Sequence, residues 1–273
     1  MKQRRYLLDS TLRDGEQSPG MCYSAEQKLK IASLLDYSGI YQIEAGSPAI
    51  SKHEKDIIVK IIENRKNAVI SVWSRLMPSD IEHAVDTRPD IIHISIPVSQ
   101  MHIREKLRQD EEWVVSQLRD CLYIADKNCV PLSVGFEDAF RAKTDFMVTI
   151  AKILLDYGVT RIRLSDTVGV ASPTRCRELV NNLSASLDGR AELGIHTHND
   201  FGMAVANTIE AAKAGCLYAD VTAGGIGERA GNCNLAHLIY AGASLFDWGL
   251  TASASRDLQY NILRVIKPAR RTR

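Results

Sequence analysis

Eight times along the chain a short run of β-branched and aromatic residues gives way to a longer segment of helical period, and that repetition constrains the fold more than any single motif. The segments predicted as strands are 6–9, 41–45, 69–73, 91–96, 131–136, 161–164, 192–196 and 218–221. The predicted helices are 25–37, 52–64, 79–85, 111–128, 145–157, 173–187, 204–214 and 235–245. Helix boundaries are marked in side-chain chemistry: Ser172 stands as an N-cap before Pro173, while Gly158 and Gly215 follow helices where a left-handed residue ends them. Alternation of this kind calls for parallel strands joined by right-handed crossovers. Eight units predict a closed (β/α)8 barrel, the TIM-barrel architecture. An open doubly wound sheet would carry a G-x-G-x-x-G turn after its first strand, and the sequence has none.

The 273 residues suit one barrel over 1–250, followed by a C-terminal helix and basic tail over 251–273 that ends in "KPARRTR". Thirty-four basic residues against thirty-three acidic give a net charge of +1, which excludes a global field for nucleic acid or an anionic membrane. The six cysteines form no C-x-x-C pair and are expected as reduced thiols. With no run of eighteen uncharged apolar residues, the expectation is a cytoplasmic protein without membrane contact.

A barrel of this type keeps its chemistry in the loops that leave the C-terminal ends of the strands. Polar clusters fall there: "TLRDGEQ", "EAGSP", "WSR", "HISIPVS", "GFEDAFR", "SDTVG", "HTHND" and "GGIGERAGN". His196 and His198, two positions apart at a strand end, leave the pleat on the same face. An isolated H-x-H is also compatible with surface or core histidines. Asp14 in the first loop adds a carboxylate, since closure sets the first strand beside the last two. Two imidazoles and a carboxylate with open positions suit Zn²⁺, Mn²⁺, Fe²⁺ or, less comfortably, Mg²⁺. Asn232 could add a carbonyl oxygen.

The segments "STLRDGEQSPG", "SDTVG", "HTHNDFGMAVANTIEAAKAG" and "GIGERAGN" resemble the signatures of the metal-dependent acyltransferases that join acetyl-CoA to a 2-oxo acid: the homocitrate, isopropylmalate and citramalate synthase group. "SVWSRLMPSDI", "HISIPVSQMHIREKL" and "SVGFEDAFRAKTDF" look closest to the homocitrate synthases associated with nitrogen fixation. The resemblance implies condensation of acetyl-CoA with a dicarboxylic 2-oxo acid such as 2-oxoglutarate. It gives Asp14, His196 and His198 to one divalent cation, with Asn232 as a neighbouring or weak ligand. Arg13 would stabilise the developing alkoxide, and Gln17 would touch the substrate. Glu16 would brace the loop.

Other positions carry over with an alternative beside each. Glu137 matches an active-site glutamate, or pairs with Arg141. Thr167 matches a hydroxyl that meets the oxo-acid carboxylate, or orders a turn. His93 would face the substrate at the end of the fourth strand, or sit satisfied in the core. Arg75 would meet a distal carboxylate, or lie idle at the surface. Gly227, Glu228 and Arg229 would shape the acetyl-CoA side, or the latter two form a structural ion pair.

Related lyases that cleave hydroxymethylglutaryl-CoA share the barrel and metal, but carry a Cys-containing loop where this chain has "GERAGN". A non-catalytic barrel subunit is a third reading. Where many synthases have a Glu two residues before the first metal-binding His, this chain has Gly194, and Gly224-Gly225 replaces their usual "NG". Family members also continue past the barrel into a region whose His and Tyr help deprotonate the acetyl methyl. The sequence stops at Arg273, so the resemblance implies a partner chain supplying that region, or weak activity without it. A homodimer is expected from apolar positions on the outer helices.

Overall fold

The computed structural model describes residues 2–266. Eight parallel strands close on themselves in chain order: β2 (Tyr6–Asp9), β3 (Gln42–Glu44), β4 (Val69–Arg75), β5 (Ile91–Pro97), β6 (Leu132–Glu137), β7 (Arg161–Asp166), β8 (Glu192–Thr197) and β9 (Tyr218–Val221). Between and after them lie α1 (Ala25–Ser38), α2 (Lys52–Asn64), α3 (Pro78–Val85), α4 (Glu111–Lys127), α5 (Thr144–Asp156), α6 (Pro173–Ser186), α7 (Ala204–Lys213) and α8 (Leu235–Gly242). The expected TIM barrel is therefore present. β4 and β7 run two residues further than expected, because polar residues that read as loop pair in the ladder: Arg75 with Ser95, Asp166 with Thr197; β5 runs one further, to Pro97 opposite Glu137. A small ribbon of β1 (Gln3–Arg4) and β10 (Phe246–Asp247) lies outside the barrel.

Alternation along the strands sorts side chains into two environments. Ile43, Ile92, Ile94, Val134, Leu164 and Ile195 are fully buried in the apolar layer between strands and helices. Burial of each stabilises the fold by roughly 1.5–3 kcal/mol. Their neighbours Gln42, Glu44, His93, Ser133, Arg163, His196 and Asp220 are also buried, but they form polar contacts across the barrel. The lumen is thus polar where many such barrels are filled with branched apolar residues. Its N-terminal end is capped by aromatic rings. Tyr6, Tyr41 and Tyr218 have centroids 4.7–6.0 Å apart, and the Arg161 guanidinium lies 4.5 Å from the Tyr218 ring and 5.4 Å from that of Tyr41. At Gly194 a Cβ would sit 3.2 Å from Tyr218 Cβ, so the glycine makes room for this cap.

The loops at the other end are fixed by caps and braces. Ser24 and Gln27 form a capping box that sets where α1 begins after the first loop. The C-terminal helix α9 (Ala252–Ile266) packs on α1 and α8, and its Gln259 accepts hydrogen bonds from the amides of Gly224 and Ala236. Gly224 and Gly225 have φ of 74° and 70°, a left-handed turn that admits glycine without strain. The basic tail lies outside the described residues. Among the described residues, no helix is long and apolar enough to cross a membrane.

Candidate metal centre and active site

Asp14, His196 and His198 converge at the C-terminal mouth of the barrel, all buried. His196 Nε2 lies 3.3 Å from His198 Nε2 and 3.3 Å from Asp14 Oδ2, and His198 Nε2 lies 3.9 Å from the same oxygen. Ligand atoms around one cation stand about 3–3.6 Å apart when the bonds are about 2.0–2.2 Å long. The other ring nitrogens have acceptors of their own: His196 Nδ1 donates to Asp220 Oδ2 at 3.0 Å, and the Thr167 carbonyl lies 3.2 Å from His198 Nδ1. Those tautomers leave both Nε2 lone pairs facing the triangle, the arrangement that metal-binding histidines use. Arg229 Nη2 also approaches His198 Nδ1, at 2.7 Å. The two contacts exclude each other, since the nitrogen donates to Thr167 in the ligating tautomer and accepts from Arg229 in the other.

Around the triangle runs a closed ring of charge. Arg13 reaches Asp14 at 3.0 Å and Glu44 at 2.5 Å, while Arg163 Nη1 bridges Glu44 at 2.9 Å and Asp220 at 2.6 Å. Asp220 then leads through His196 back to Asp14. Three carboxylates against two guanidinium groups leave one negative charge over when His196 is neutral. A divalent cation fits that surplus. Burial disfavours a charged His196, but hydrogen bonding to Asp14 and Asp220 outweighs it and pushes its pKa up to about 9. Burial likewise works to raise Asp14, yet Arg13 and the two imidazoles hold it well below the usual carboxylate range. The donor set therefore attracts positive charge, as a metal centre must.

The first and last loops are tied together over this ring. Ser18 Oγ donates to the Gly227 carbonyl at 3.0 Å and accepts from the Gly227 amide at 2.7 Å. Gly227 has φ of +155°, and a Cβ there would lie 3.1 Å from Asp14 Oδ1 and collide with the Asn232 amide. From below, Lys28 is buried between Glu16 at 2.7 Å and Glu54 at 2.6 Å, so Glu16 braces the loop as expected.

A cavity of about 500 Å³ opens above the triangle, within the range of small-ligand sites. Arg13, Gln17, Arg75, Glu137, Thr167 and Glu228 line it together with the triangle. Thr167 Oγ1 accepts the Asp138 amide at 2.8 Å, which leaves its hydroxyl proton free to donate. Glu137 pairs with His102 at 3.1 Å and Lys106 at 3.2 Å, whereas Arg141 pairs with Asp138. Burial works to raise the Glu137 pKa, but His102 and Lys106 outweigh it and hold it below the ordinary value. Arg75 sits at the mouth with Nε and Nη2 both on Asp80, at 2.7 and 2.9 Å. Glu228 and Arg229 do pair, at 3.3 Å, and Arg229 also holds Asp200.

Two further positions take the second and the first of their alternative readings. His93 does not line the cavity: it lies inside β5, and its Nδ1 contacts Ser133 Oγ at 2.8 Å one layer below. Burial holds its pKa well below the ordinary histidine range. Asn232 stands beside the ligand triangle with its amide group donating to Asp14 and to the Ile226 carbonyl, both at 3.0 Å. It is thus a neighbour of the triangle that holds Asp14, and its Oδ1 is buried without a donor. Sequence reasoning missed Glu44, Arg163 and Asp220, each a charge with apolar neighbours on both sides inside a strand. It also missed His102 and Lys106, which lie on the π-helical turn Met101–Lys106. A charge flanked by isoleucine and leucine, as in "YQIEA" or "RIRLSD", was the available signal.

A parallel eight-stranded barrel with two histidines and a carboxylate at its C-terminal mouth defines the class: an α/β barrel built around a candidate divalent-metal centre. Over residues 4–259 the chain matches the family described as HMGL-like, and it belongs to that family. It is 40% identical over 230 residues to homocitrate synthase subunit alpha of Clostridium pasteurianum, covering 84% of each chain. Against homocitrate synthase of Frankia alni it is 42% identical over 235 residues, or 86% of this chain and 66% of that protein. In fold it is similar to hydroxymethylglutaryl-CoA lyase of Pseudomonas aeruginosa, with a TM-score of 0.86 at 18% identity over 98% of this chain and 94% of the other.

Proposed function

We propose that this chain is the barrel of a homocitrate-synthase-type acyltransferase, condensing acetyl-CoA with a dicarboxylic 2-oxo acid, 2-oxoglutarate. One observation carries the proposal: Asp14, His196 and His198 converge within a charge ring that holds Arg13 rigidly at the cavity wall. A bound Zn²⁺, Mn²⁺, Fe²⁺ or Mg²⁺ would polarise the oxo group and neutralise charge that grows on its oxygen. Arg13 would donate to that same oxygen. Its guanidinium cannot lose a proton, and Glu44 and Asp14 fix its plane, so it needs no reorganisation as charge develops. The Thr167 hydroxyl would donate to the oxo-acid carboxylate, and Gln17 lines the same wall. The names of the two synthase relatives support condensation as the reaction.

Removal of a proton from the acetyl methyl requires a base within hydrogen-bond reach. Glu137 is held as a carboxylate of low basicity by His102 and Lys106, which makes it a weak base for that step. We therefore assign the proton transfer to a group delivered by a partner chain. The Clostridium relative, matched over the same share of its length as of this chain, is itself named as a subunit. Pairing of two copies belongs to the same proposal, supported by exposed Tyr37, Tyr240 and Tyr260 on the adjoining helices α1, α8 and α9. Six free thiols, four of them buried, support a reducing cytoplasmic setting.

The test is release of free CoA thiol from acetyl-CoA by metal-loaded protein, with a panel of 2-oxo acids, alone and with candidate partner chains. Turnover with 2-oxoglutarate is expected. Absence of thiol release under every combination would refute the proposal.

A further inference from the structure

We propose that Lys106 is the residue that reads the far carboxylate of the 2-oxo acid, and so sets selectivity for a dicarboxylic over a monocarboxylic substrate. This rests on the function proposed above. An oxo acid held at the triangle and Thr167 has its reactive end on the β7, β8 and β2 side of the cavity. The opposite wall comes from the ends of β4, β5 and β6 and from the turn Met101–Lys106. Among the described residues lining that wall, Arg75 and Lys106 are the arginine and the lysine.

The two differ in what they have left to give. Arg75 presents Nε and Nη2 to a single carboxylate, Asp80, whose side chain is 3% exposed. That bidentate pair sets the plane of the guanidinium, and moving it would strand a buried charge. Lys106 makes one contact, 3.2 Å to Glu137 Oε1; the two side chains are equally open, at 62% for Lys106 and 65% for Arg75, so the difference lies in what each already holds. An ammonium has three donors on a flexible stem, so at least one remains for a second carboxylate. Competition from Glu137 is moderated, because His102 lies 3.1 Å from the same Oε1 and shares the carboxylate. Pro97, Leu107 and Trp113 line the same cavity and give it an apolar wall.

The π-helical form of the turn is part of this placement. It follows β5 after three residues, from a Ser99 hydroxyl that accepts the His102 amide at 3.1 Å and donates to Asp138 at 2.5 Å. His102 and Lys106 lie four positions apart, and both meet Glu137 Oε1. π-helical turns occur frequently at functional sites.

The experiment measures binding, so it does not depend on turnover or on a partner. Mn²⁺-loaded protein is titrated calorimetrically with 2-oxoglutarate and with 2-oxobutanoate, for the native chain and for Lys106→Gln, Lys106→Arg and Arg75→Gln. Lys106→Gln is expected to weaken 2-oxoglutarate about tenfold to a hundredfold, the value of a charge-assisted hydrogen bond, and to change 2-oxobutanoate less than about threefold. Lys106→Arg should recover most of the loss. Equal weakening of both acids by Lys106→Gln would overturn the proposal. So would a selective loss carried by Arg75→Gln. If the native chain binds neither acid, the proposed function itself fails, and that result is distinct from either of the others. Thermal melts of each variant confirm that the barrel is intact.

Discussion

Replacement of Lys28 by Met tests whether the first loop is held from beneath by a dry ion pair. Lys28 is 3% exposed at its side chain and meets Glu54 at 2.6 Å and Glu16 at 2.7 Å, with those carboxylates 11% and 24% exposed. Methionine keeps much of the volume and removes the charge, leaving Glu54 buried without compensation. Breaking one side of such a pair costs about 3–5 kcal/mol. At ~2.1 cal/mol/K per residue, the 273-residue chain has an unfolding entropy near 0.57 kcal/mol/K, so the melting temperature should fall by about 5–9 °C. A second change, Glu54→Gln, should restore at least 2 kcal/mol to the Lys28→Met protein while destabilising the native one, because it removes the stranded charge. Urea unfolding of the four proteins gives this coupling directly. A cost below 1 kcal/mol for Lys28→Met would mean that water reaches the pair. A double variant no more stable than Lys28→Met would show that the lost lysine stem, and not charge, is responsible.

Asp220→Asn should weaken divalent-metal binding by roughly tenfold to a hundredfold, because Asp220 orients His196 through Nδ1; unchanged affinity in a metal titration would refute that role. Gly227→Ala drives a Cβ into Asn232 beside Asp14, so it should lower metal content by elemental analysis while far-ultraviolet circular dichroism stays native. Asp9 is fully buried, and burial, reinforced by Asp220, pushes its pKa up to about 7 against hydrogen bonding from Thr11. The folded state then binds a proton more tightly than the unfolded state between about pH 4 and 7, so this group's contribution to stability falls as pH rises through that window and is level above it. Asp9→Asn should remove that component, seen as a smaller loss of unfolding free energy between pH 5 and pH 8 than in the native chain.

The barrel was legible because its strands and helices differ in period, and because Ser172-Pro173, Gly158 and Gly215 mark boundaries independently of packing. The metal triangle was legible for a related reason: barrel closure fixes which loops are neighbours, so Asp14 and "HTH" could be joined across the chain. Glu44, Arg163 and Asp220 were not, since each sits among apolar neighbours and acquires meaning only through partners 24 to 119 positions away. His93 was misplaced because a position inside β5 can face the barrel lumen below the mouth, and only its contact with Ser133 shows that it does. Asn232 illustrates a different limit. Its side chain offers both a donor and an acceptor, and only the neighbouring Asp14 oxygen decides which one faces inward.

Tyr6, Tyr41, Tyr218 and Arg161 close the far end of the barrel, and that closure bears on kinetics. Among the described residues, what binds on the floor shares the C-terminal mouth with any bulkier co-substrate and with solvent. On the function proposed above, the smaller reactant would enter first and the larger second, so an analogue of the larger one should trap the smaller inside. Initial-rate patterns would be sequential with a compulsory order, and the residence time of the outer molecule would govern escape of the inner one.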